Sequence, residues 1–352
     1  MKKSSIEQNL CSLFKETVET TLNTKDKIVI FSDLHLGDGG KGDEFKKNSK
    51  LFKRILKKYY LKNEYKLVLN GDIEELQKFS LHKINKQWKK IYNLFKKFEK
   101  NDRLYKIIGN HDYDLFNKKN THPFKILPAL KLNYKNNILF IFHGYQADYF
   151  VEKFNTLLGY VIRYIFKPLG IKNYSTAYDS KKKFKVEKNV YHFSSENKIL
   201  SIIGHTHRPL FESLSKVDST KFKIEQLCRD YPVASKVQKE KINEEIAKLK
   251  EELLYYHTKN KKLGQRSSLY NSNLIIPCVF NSGCGIGKRG ITAIEIYDEK
   301  IFLVYWFNSN KNKKYIEYNE NQPEHLPYTD FYRLILKEET LDYILTRVQL
   351  LS

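Results

Sequence analysis

The sequence predicts an α/β fold in one large domain; the alternation of elements indicates the fold class, and length and composition indicate the size of the core. Apolar runs of strand length alternate with amphipathic helical segments over the first third of the chain, a rhythm typical of βαβ units. The chain also has 352 residues, of which 41% are hydrophobic. That is enough to bury a large core. We therefore expect residues 1–352 to form a single domain that carries insertions.

The elements can be assigned in chain order. Apolar positions recur at helical spacing within the first 25 residues and predict a leading helix. An alternating series of strands and helices then follows: a strand at 27–32, a helix near 43–61, a strand at 66–70, a helix near 85–100 and strands at 104–108 and 138–142.

Residues 145–195 depart from this alternation and are predicted to form a helical insertion. Apolar residues between Phe150 and Ile165 share one helical face, and a basic stretch follows at 181–188. This face fits an ordinary helix that packs on the core. It fits equally well a lid or an acyl-chain groove beside a functional site.

The chain returns to a strand at 199–203, and residues 211–272 then predict a second helical insertion. A long helix over 234–258 is indicated by apolar residues at 4-3-4 spacing, with packing on its own domain or a protruding pairing surface as the alternatives. The last third predicts strands at 274–280, 291–297 and 301–307. Residues 327–352 are predicted to form a C-terminal helix.

Five short segments at strand ends carry the chemistry. They are Asp33-Leu34-His35, Gly71-Asp72, Gly109-Asn110-His111-Asp112, His143-Gly144 and Gly204-His205-Thr206-His207. Open α/β sheets place their sites at such ends. Oxygen and imidazole ligands without a thiolate indicate hard or borderline ions such as Mn, Fe or Zn. Seven candidate ligands are too many for one four-coordinate zinc and suit two metals that share one carboxylate.

In this order the segments resemble the signature of the calcineurin-like metallophosphoesterases, which is D-x-H, G-D, G-N-H-D/E, H and G-H-x-H. The resemblance covers roughly residues 27–209 and resumes at 273–307. It implies an αββα sandwich, here with two helical insertions. It also implies two divalent metal ions as cofactors, Mn in the first place, with Fe or Zn as alternatives.

The resemblance assigns a role to each candidate ligand. The first ion takes Asp33, His35 and His207, the second takes Asn110, His143 and His205, and the Asp72 carboxylate bridges the two. The implied reaction is attack on phosphorus by a metal-bridging hydroxide. The substrate is then a phosphomonoester, a phosphodiester or a pyrophosphate.

Three further residues are candidates for acid–base work. His111 is expected to protonate the leaving alkoxide. Glu75 stands where protein-phosphatase relatives carry an Asp that orients this His, and Asp112 is the alternative orienting residue. Glu74 and Glu75 could equally be solvated.

Departures from the family pattern bear on the substrate. Phosphoprotein phosphatases resemble GDxxDRG after the bridging Asp, whereas residues 71–77 contain no Arg, which disfavours that activity. UDP-2,3-diacylglucosamine pyrophosphohydrolases are similar in having an apolar helical insertion after the His143-type motif, although many carry Arg where His111 stands. A lipid-linked nucleotide pyrophosphohydrolase therefore remains an alternative.

The formal net charge is +23, which can attract phosphorylated substrates, anionic lipid or nucleic acid. Only nine of the 63 basic residues are Arg, and they are scattered, so compositional bias is favoured over nucleic-acid binding or nuclease activity.

The four Cys form no CxxC pair, so neither disulfides nor thiolate zinc is expected. Without a signal peptide or spanning segment, a cytoplasmic protein is expected, with peripheral membrane association as an alternative. The oligomeric state is not predicted.

Overall fold

The computed structural model describes residues 5–118, 122–148, 180–213, 216–261, 275–311 and 322–352. The strands in this part are β1 Glu19–Thr21, β2 Ile28–Phe31, β3 Lys66–Asn70, β4 Leu104–Ile107, β5 Ile126–Leu127, β6 Leu130–Tyr134, β7 Asn137–Ile141, β8 Leu200–Ile203, β9 Val279–Asn281, β10 Gly290–Tyr297, β11 Lys300–Asn308, β12 Glu324–His325 and β13 Phe331–Thr340. The α-helices are α1 Ser5–Glu16, α2 Ser49–Ile55, α3 Leu81–Gln87, α4 Lys89–Glu99, α5 Ser180–Glu196, α6 Lys216–Asp230, α7 Lys236–Lys261 and α8 Leu341–Leu351.

The strands form two sheets. The larger sheet has the order β12-β13-β11-β10-β2-β3-β4-β5, in which β2 to β5 run parallel and β10 to β13 add an antiparallel half. The smaller sheet has the order β1-β6-β7-β8-β9, in which β7, β8 and β9 run parallel. The parallel strands of both sheets carry the motif segments at their carboxyl ends.

The two sheets pack against each other, and helices cover their outer faces. Ile30 and Val68 of the larger sheet share one core with Ile141 of the smaller sheet. Side chains alternate along a strand, so the neighbouring Phe31 points the other way and packs on Phe52 of α2, with ring centroids 5.2 Å apart. This layering confirms the predicted α/β class and αββα arrangement.

Helix α1 and helix α5 cover the smaller sheet through aromatic contacts. Phe140 of β7 lies 5.2 Å from Phe14 and 6.2 Å from Phe193, measured between ring centroids. Helices α6 and α7 occupy the second predicted insertion and are joined by an ion pair between Lys223 and Glu245. The predicted apolar face between Phe150 and Ile165 lies outside the described residues.

Two predicted helices are interrupted. The segment near 43–61 consists of a 3₁₀ turn Glu44–Asn48, then α2, then a π-helical turn Leu56–Tyr60. The segment near 85–100 is split into α3 and α4 at Trp88, whose indole N–H donates to Gly37 O at 2.9 Å. At Trp88 this tertiary contact overrides local helical periodicity.

The predicted helix over 327–352 is wrong for its first half. Phe331–Thr340 is strand β13, which pairs with β11, and only Leu341–Leu351 is helical. The strand forms because an open sheet edge at β11 is available and because Arg333 reaches the buried Glu295 carboxylate from this register. None of the helices in the described ranges is both long and apolar enough to span a bilayer.

Candidate metal centre

All five motif segments meet at one end of the sandwich, because each follows the carboxyl end of β2, β3, β4, β7 or β8. The larger sheet supplies the segments that start at Asp33, Gly71 and Gly109, and the smaller sheet supplies those that start at His143 and Gly204. The site therefore lies where the ends of the two sheets face each other.

The first ligand group consists of Asp33, His35 and His207, whose ligand atoms lie within 4.8 Å of one another. Asp33 Oδ1 is 3.0 Å from His207 Nε2, and His35 Nε2 is 3.1 Å from the same nitrogen. Two ligands held about 2.1 Å from one ion stand roughly 3 Å apart. These separations therefore fit a shared cation.

The second ligand group consists of Asp72, His143 and His205. Asp72 Oδ2 is 3.1 Å from His143 Nε2 and 3.9 Å from His35 Nε2 of the first group. The Asp72 carboxylate thus lies between the groups, in the position that a bridging ligand requires.

Several buried ligand atoms form no hydrogen bond among the described residues, although Asp33 Oδ1 lies 3.0 Å from His207 Nε2 and His143 Nε2 lies 3.1 Å from Asp72 Oδ2. They include Asp33 Oδ1, Asn110 Oδ1, His143 Nε2 and His205 Nε2. An unsatisfied buried polar group is costly, and most have partners in native proteins. Asp33, His143 and His205 belong to the two ligand groups, and their oxygen and imidazole chemistry fits two divalent cations.

The other ring nitrogens fix the orientation of the imidazoles. His143 Nδ1 lies 2.8 Å from Asn70 O, which can only accept, so Nδ1 carries the proton and Nε2 presents its lone pair to the site. His35 Nδ1 makes the equivalent contact with Glu75 Oε2 at 3.1 Å. Such outer contacts are a regular feature of histidine metal ligands.

The backbone at the ligands is strained. Asp33, His35, Asp72, His205 and His207 all adopt left-handed φ angles between 49° and 63°. Such conformations cost about 1–3 kcal/mol each and cluster at functional sites. Strain at five of the seven candidate ligands is a second, independent indication that these segments are shaped for binding.

A glycine makes one of the tight approaches possible. A Cβ at Gly204 would lie 2.5 Å from Ser32 Oγ and 2.6 Å from Asp33 Oδ2. The next residue, His205, donates its backbone N–H to Asp33 Oδ2 at 3.0 Å. This contact joins the two sheets at the centre of the site.

His111 lies at the rim of the same cluster. Its Nδ1 is 2.9 Å from Glu75 Oε1, its Nε2 is 4.0 Å from Asp72 Oδ2, and its side chain is 11% exposed. The His111 backbone N–H also donates to Asp72 Oδ1 at 2.8 Å. Burial alone would lower the pKa of His111, but the Asp72 and Glu75 carboxylates raise it to about 9.

Glu75 is buried and contacts both His35 and His111, so the solvated alternative for this residue is wrong. The orienting contact to His111 therefore comes from Glu75. The alternative prediction, that Asp112 orients His111, is wrong. The buried Asp112 carboxylate instead accepts from the backbone N–H groups of Ile73 at 2.7 Å and Gly109 at 2.6 Å. Asp112 holds two motif loops together.

Glu74 is also buried, and it points away from the metal ligands. It accepts from Lys106 Nζ at 2.6 and 2.7 Å and from Tyr92 OH at 2.5 Å. The pKa of Glu74 is held low by Lys106 and His122 in spite of burial, which favours the neutral acid. Adjacent glutamates thus have separate tasks, one in the fold and one in the site.

Two buried carboxylates, Asp33 and Asp72, lie at the centre of the site. Burial favours neutral acids, but nearby imidazoles, His143 foremost for Asp72 and His207 foremost for Asp33, hold the pKa of both carboxyls below the usual range. Burial lowers the pKa of His207 and favours the neutral imidazole that binds metal. The geometry and charge together suit cations.

No sequence pattern indicated two further acidic residues that lie beside the ligands. Asp148 Oδ2 lies 3.5 Å from His205 Nε2, five residues after the ligand His143. Glu187 of α5 contacts the residues on either side of His207. Neither residue belongs to a motif with fixed spacing, so only the folded structure shows their position.

Comparison with known proteins places this site in a family. The sequence model of the calcineurin-like phosphoesterases matches residues 26–234, which is more than half of the chain and includes all five motif segments. No curated protein matches the chain. Members of the family are metal-dependent hydrolases of phosphoric esters, and they act on phosphate-bearing substrates. The motifs, the two-sheet fold and the family match agree, and the chain belongs to the calcineurin-like phosphoesterase family.

Proposed function

We propose that this protein is a dinuclear phosphoesterase that hydrolyses a phosphomonoester, a phosphodiester or a pyrophosphate. The observation that carries this proposal is the position of Asp72 between two ligand groups, each with the separations expected around one ion. Asp33, His35 and His207 would hold one ion. Asn110, His143 and His205 would hold the other, with Asp72 shared.

When bound, two divalent ions would supply an activated water and neutralise charge on the phosphoryl oxygens. The surrounding residues prepare the site for this role. Asn70 O and Glu75 fix the proton positions on His143 and His35, and the His111 backbone N–H holds the Asp72 carboxylate. The burial of Asp33 and Asp72 keeps bulk water from competing for these contacts.

His111 is proposed to act as the general acid. Its Nε2 is the ring nitrogen left free to face substrate once Nδ1–H donates to Glu75, and its partial exposure lets a leaving oxygen approach. The carboxylates around it favour the protonated ring, although bound cations would offset part of that attraction. Glu75 orients the ring and stabilises its charge.

Metal content and turnover test this proposal directly. The purified protein should carry close to two metal ions per chain and hydrolyse an aryl phosphate ester or diester. Chelation should abolish turnover, and Mn should restore it. If reconstituted protein binds no metal and shows no turnover, the proposal is wrong.

A substrate panel then separates the alternatives. The +23 charge supports an anionic substrate but does not select one. Small esters, a nucleotide-linked pyrophosphate with and without acyl chains, and an oligonucleotide should be compared at matched metal loading. Dependence on the acyl chain, together with co-sedimentation with anionic vesicles, would favour the lipid-linked alternative and peripheral membrane association. Oligonucleotide cleavage would favour a nuclease.

A further inference from the structure

Helix α5 reaches into the metal centre through one buried carboxylate. Glu187 is 1% exposed, and its Oε1 accepts from Thr206 Oγ1 at 2.8 Å and from Arg208 Nε at 3.1 Å. Its Oε2 accepts from Arg208 Nη2. A single side chain therefore holds both neighbours of the ligand His207.

The helix that carries Glu187 is itself firmly placed. Val186 and Val190, which flank Glu187 on α5, are buried in the main core. Asn189 Nδ2 donates to Ala147 O at 3.0 Å, and Ser194 Oγ donates to Ser201 Oγ at 2.7 Å. Because α5 is fixed on the core, Glu187 can hold the loop around His207 in a fixed position relative to the core.

The ligand loop is held from the opposite side as well. Asn281 Nδ2 donates to Gly204 O and to Thr206 Oγ1, each at 2.9 Å. Between these anchors, His205 and His207 keep their left-handed backbone. Strained backbone persists only where surrounding contacts over-determine it.

We propose that Glu187 is a positioning residue that fixes His205 and His207 for metal binding. This inference rests on the proposed dinuclear function. The carboxylate restrains the backbone through Thr206 and Arg208, and it neutralises the Arg208 guanidinium next to a cation site. Without it, both histidines would have to be ordered at the moment of metal binding, and affinity would fall.

The test is a Mn²⁺ titration of metal-free protein, followed by electron paramagnetic resonance and calorimetry. Loss of contacts that orient metal ligands typically weakens binding about 10–100-fold. We expect a loss of that size in Glu187→Ala and a smaller one in Glu187→Gln, which keeps an acceptor for Thr206. A third variant, Thr206→Val, removes the hydrogen bonds of Thr206 to Glu187 and Asn281 without changing charge and should weaken binding several-fold.

Glu295→Gln is the matched control, because Glu295 is likewise a buried partner of an arginine fork but lies away from the ligand loop. It should lower the melting temperature and keep wild-type Mn²⁺ affinity. Wild-type affinity in Glu187→Ala would overturn the inference, as would an equal loss in Glu295→Gln. If Glu187→Ala does not fold, Thr206→Val decides, and its wild-type affinity would overturn the inference.

The double variant Glu187→Ala/Arg208→Ala separates positioning from charge. If Glu187 acts by positioning, Mn²⁺ affinity should stay low in the double variant, in which the Arg208 guanidinium is also removed. Full recovery would mean that Arg208 merely repelled the cation, and the inference would fail. A wild-type protein that binds no Mn²⁺ would instead refute the proposed function itself, so the two failures are distinguishable.

Discussion

Two buried charged regions of this protein can be compared, the metal centre and a group on the larger sheet that we call the Arg333 cluster, formed by Arg333, Glu295, Tyr60, Trp306 and Tyr297. In the Arg333 cluster the polar groups satisfy one another. Tyr60 OH donates to Glu295 Oε1 at 2.6 Å, Trp306 Nε1–H donates to Tyr60 OH at 2.6 Å, and Arg333 donates to Glu295 and Tyr297.

The polar groups of the metal centre are similarly buried, but several of them do not form hydrogen bonds with one another. Asp33 Oδ1, His143 Nε2 and His205 Nε2 converge without hydrogen bonds among the described residues. Burial and charge alone therefore do not distinguish a structural network from a functional one. The distinguishing feature is whether the polar atoms are satisfied within the protein, since unsatisfied ones indicate an external partner.

Asp72→Ala should have the largest effect on activity, because it removes the carboxylate shared by both ligand groups. We expect loss of both metals, or nearly so, and turnover at the background rate, measured by metal analysis and ester hydrolysis. His35→Ala is the comparison, since it should mainly weaken one ion. Full metal occupancy and activity in Asp72→Ala would exclude the bridging role.

His111→Ala should leave metal content intact and lower kcat by ~10²–10⁴ for esters with poor leaving groups, because the leaving alkoxide is no longer protonated. The loss should shrink for nitrophenolate, which departs without a proton. Steady-state kinetics on both substrates at saturating Mn measure the difference. Equal losses would indicate that His111 stabilises phosphate instead.

Glu74 and Glu75, which follow Asp72 within three residues, allow the same comparison between a structural and a functional carboxylate at neighbouring positions. Glu75→Gln should lower kcat by roughly 10-fold or more, because the His35 and His111 rings lose their charged partner. Glu74→Ala should lower the free energy of unfolding by about 3–5 kcal/mol, because Lys106 becomes a buried, unpaired charge. Denaturant melts and kinetics on both variants test this division, and exchanged phenotypes would contradict it.

Glu295→Ala should have the smallest effect on the reaction. It removes the buried carboxylate partner of Arg333 and should cost about 3–5 kcal/mol of stability, measured by denaturant unfolding. Metal content and kcat of the folded fraction should match those of the wild type. A change in metal affinity would show that the Arg333 cluster is coupled to the site and would break the comparison.

Much of the fold was predictable from local patterns. The strands that carry the motif segments lie within a residue or so of their predicted bounds, because buried strands leave continuous apolar runs that end in polar residues. Strand β13 was missed because its formation depends on a partner edge at β11 and on Glu295, which lies 38 residues earlier in the chain. Such pairings leave no periodic signal.

The candidate site divides in the same way. All seven candidate ligands stand in motif segments, and the structure brings six of them, all except Asn110, into the two ligand groups. The choice between Glu75 and Asp112 could not be made from sequence, because both lie in loops whose side-chain directions depend on packing. Glu187 could not be identified from sequence either. It is one charged residue in a helix of mixed composition, and its direction depends on packing.

The chain order of the ligands has a consequence for biosynthesis. The first ligand group opens with Asp33 and His35, and the second with Asp72, yet each is completed from the loop that holds His205 and His207. During synthesis from the N-terminus, neither group is complete until residue 207 has emerged and the smaller sheet has docked. Metal capture would then come late, and by mass action it would stabilise the assembled sandwich over partly folded chains.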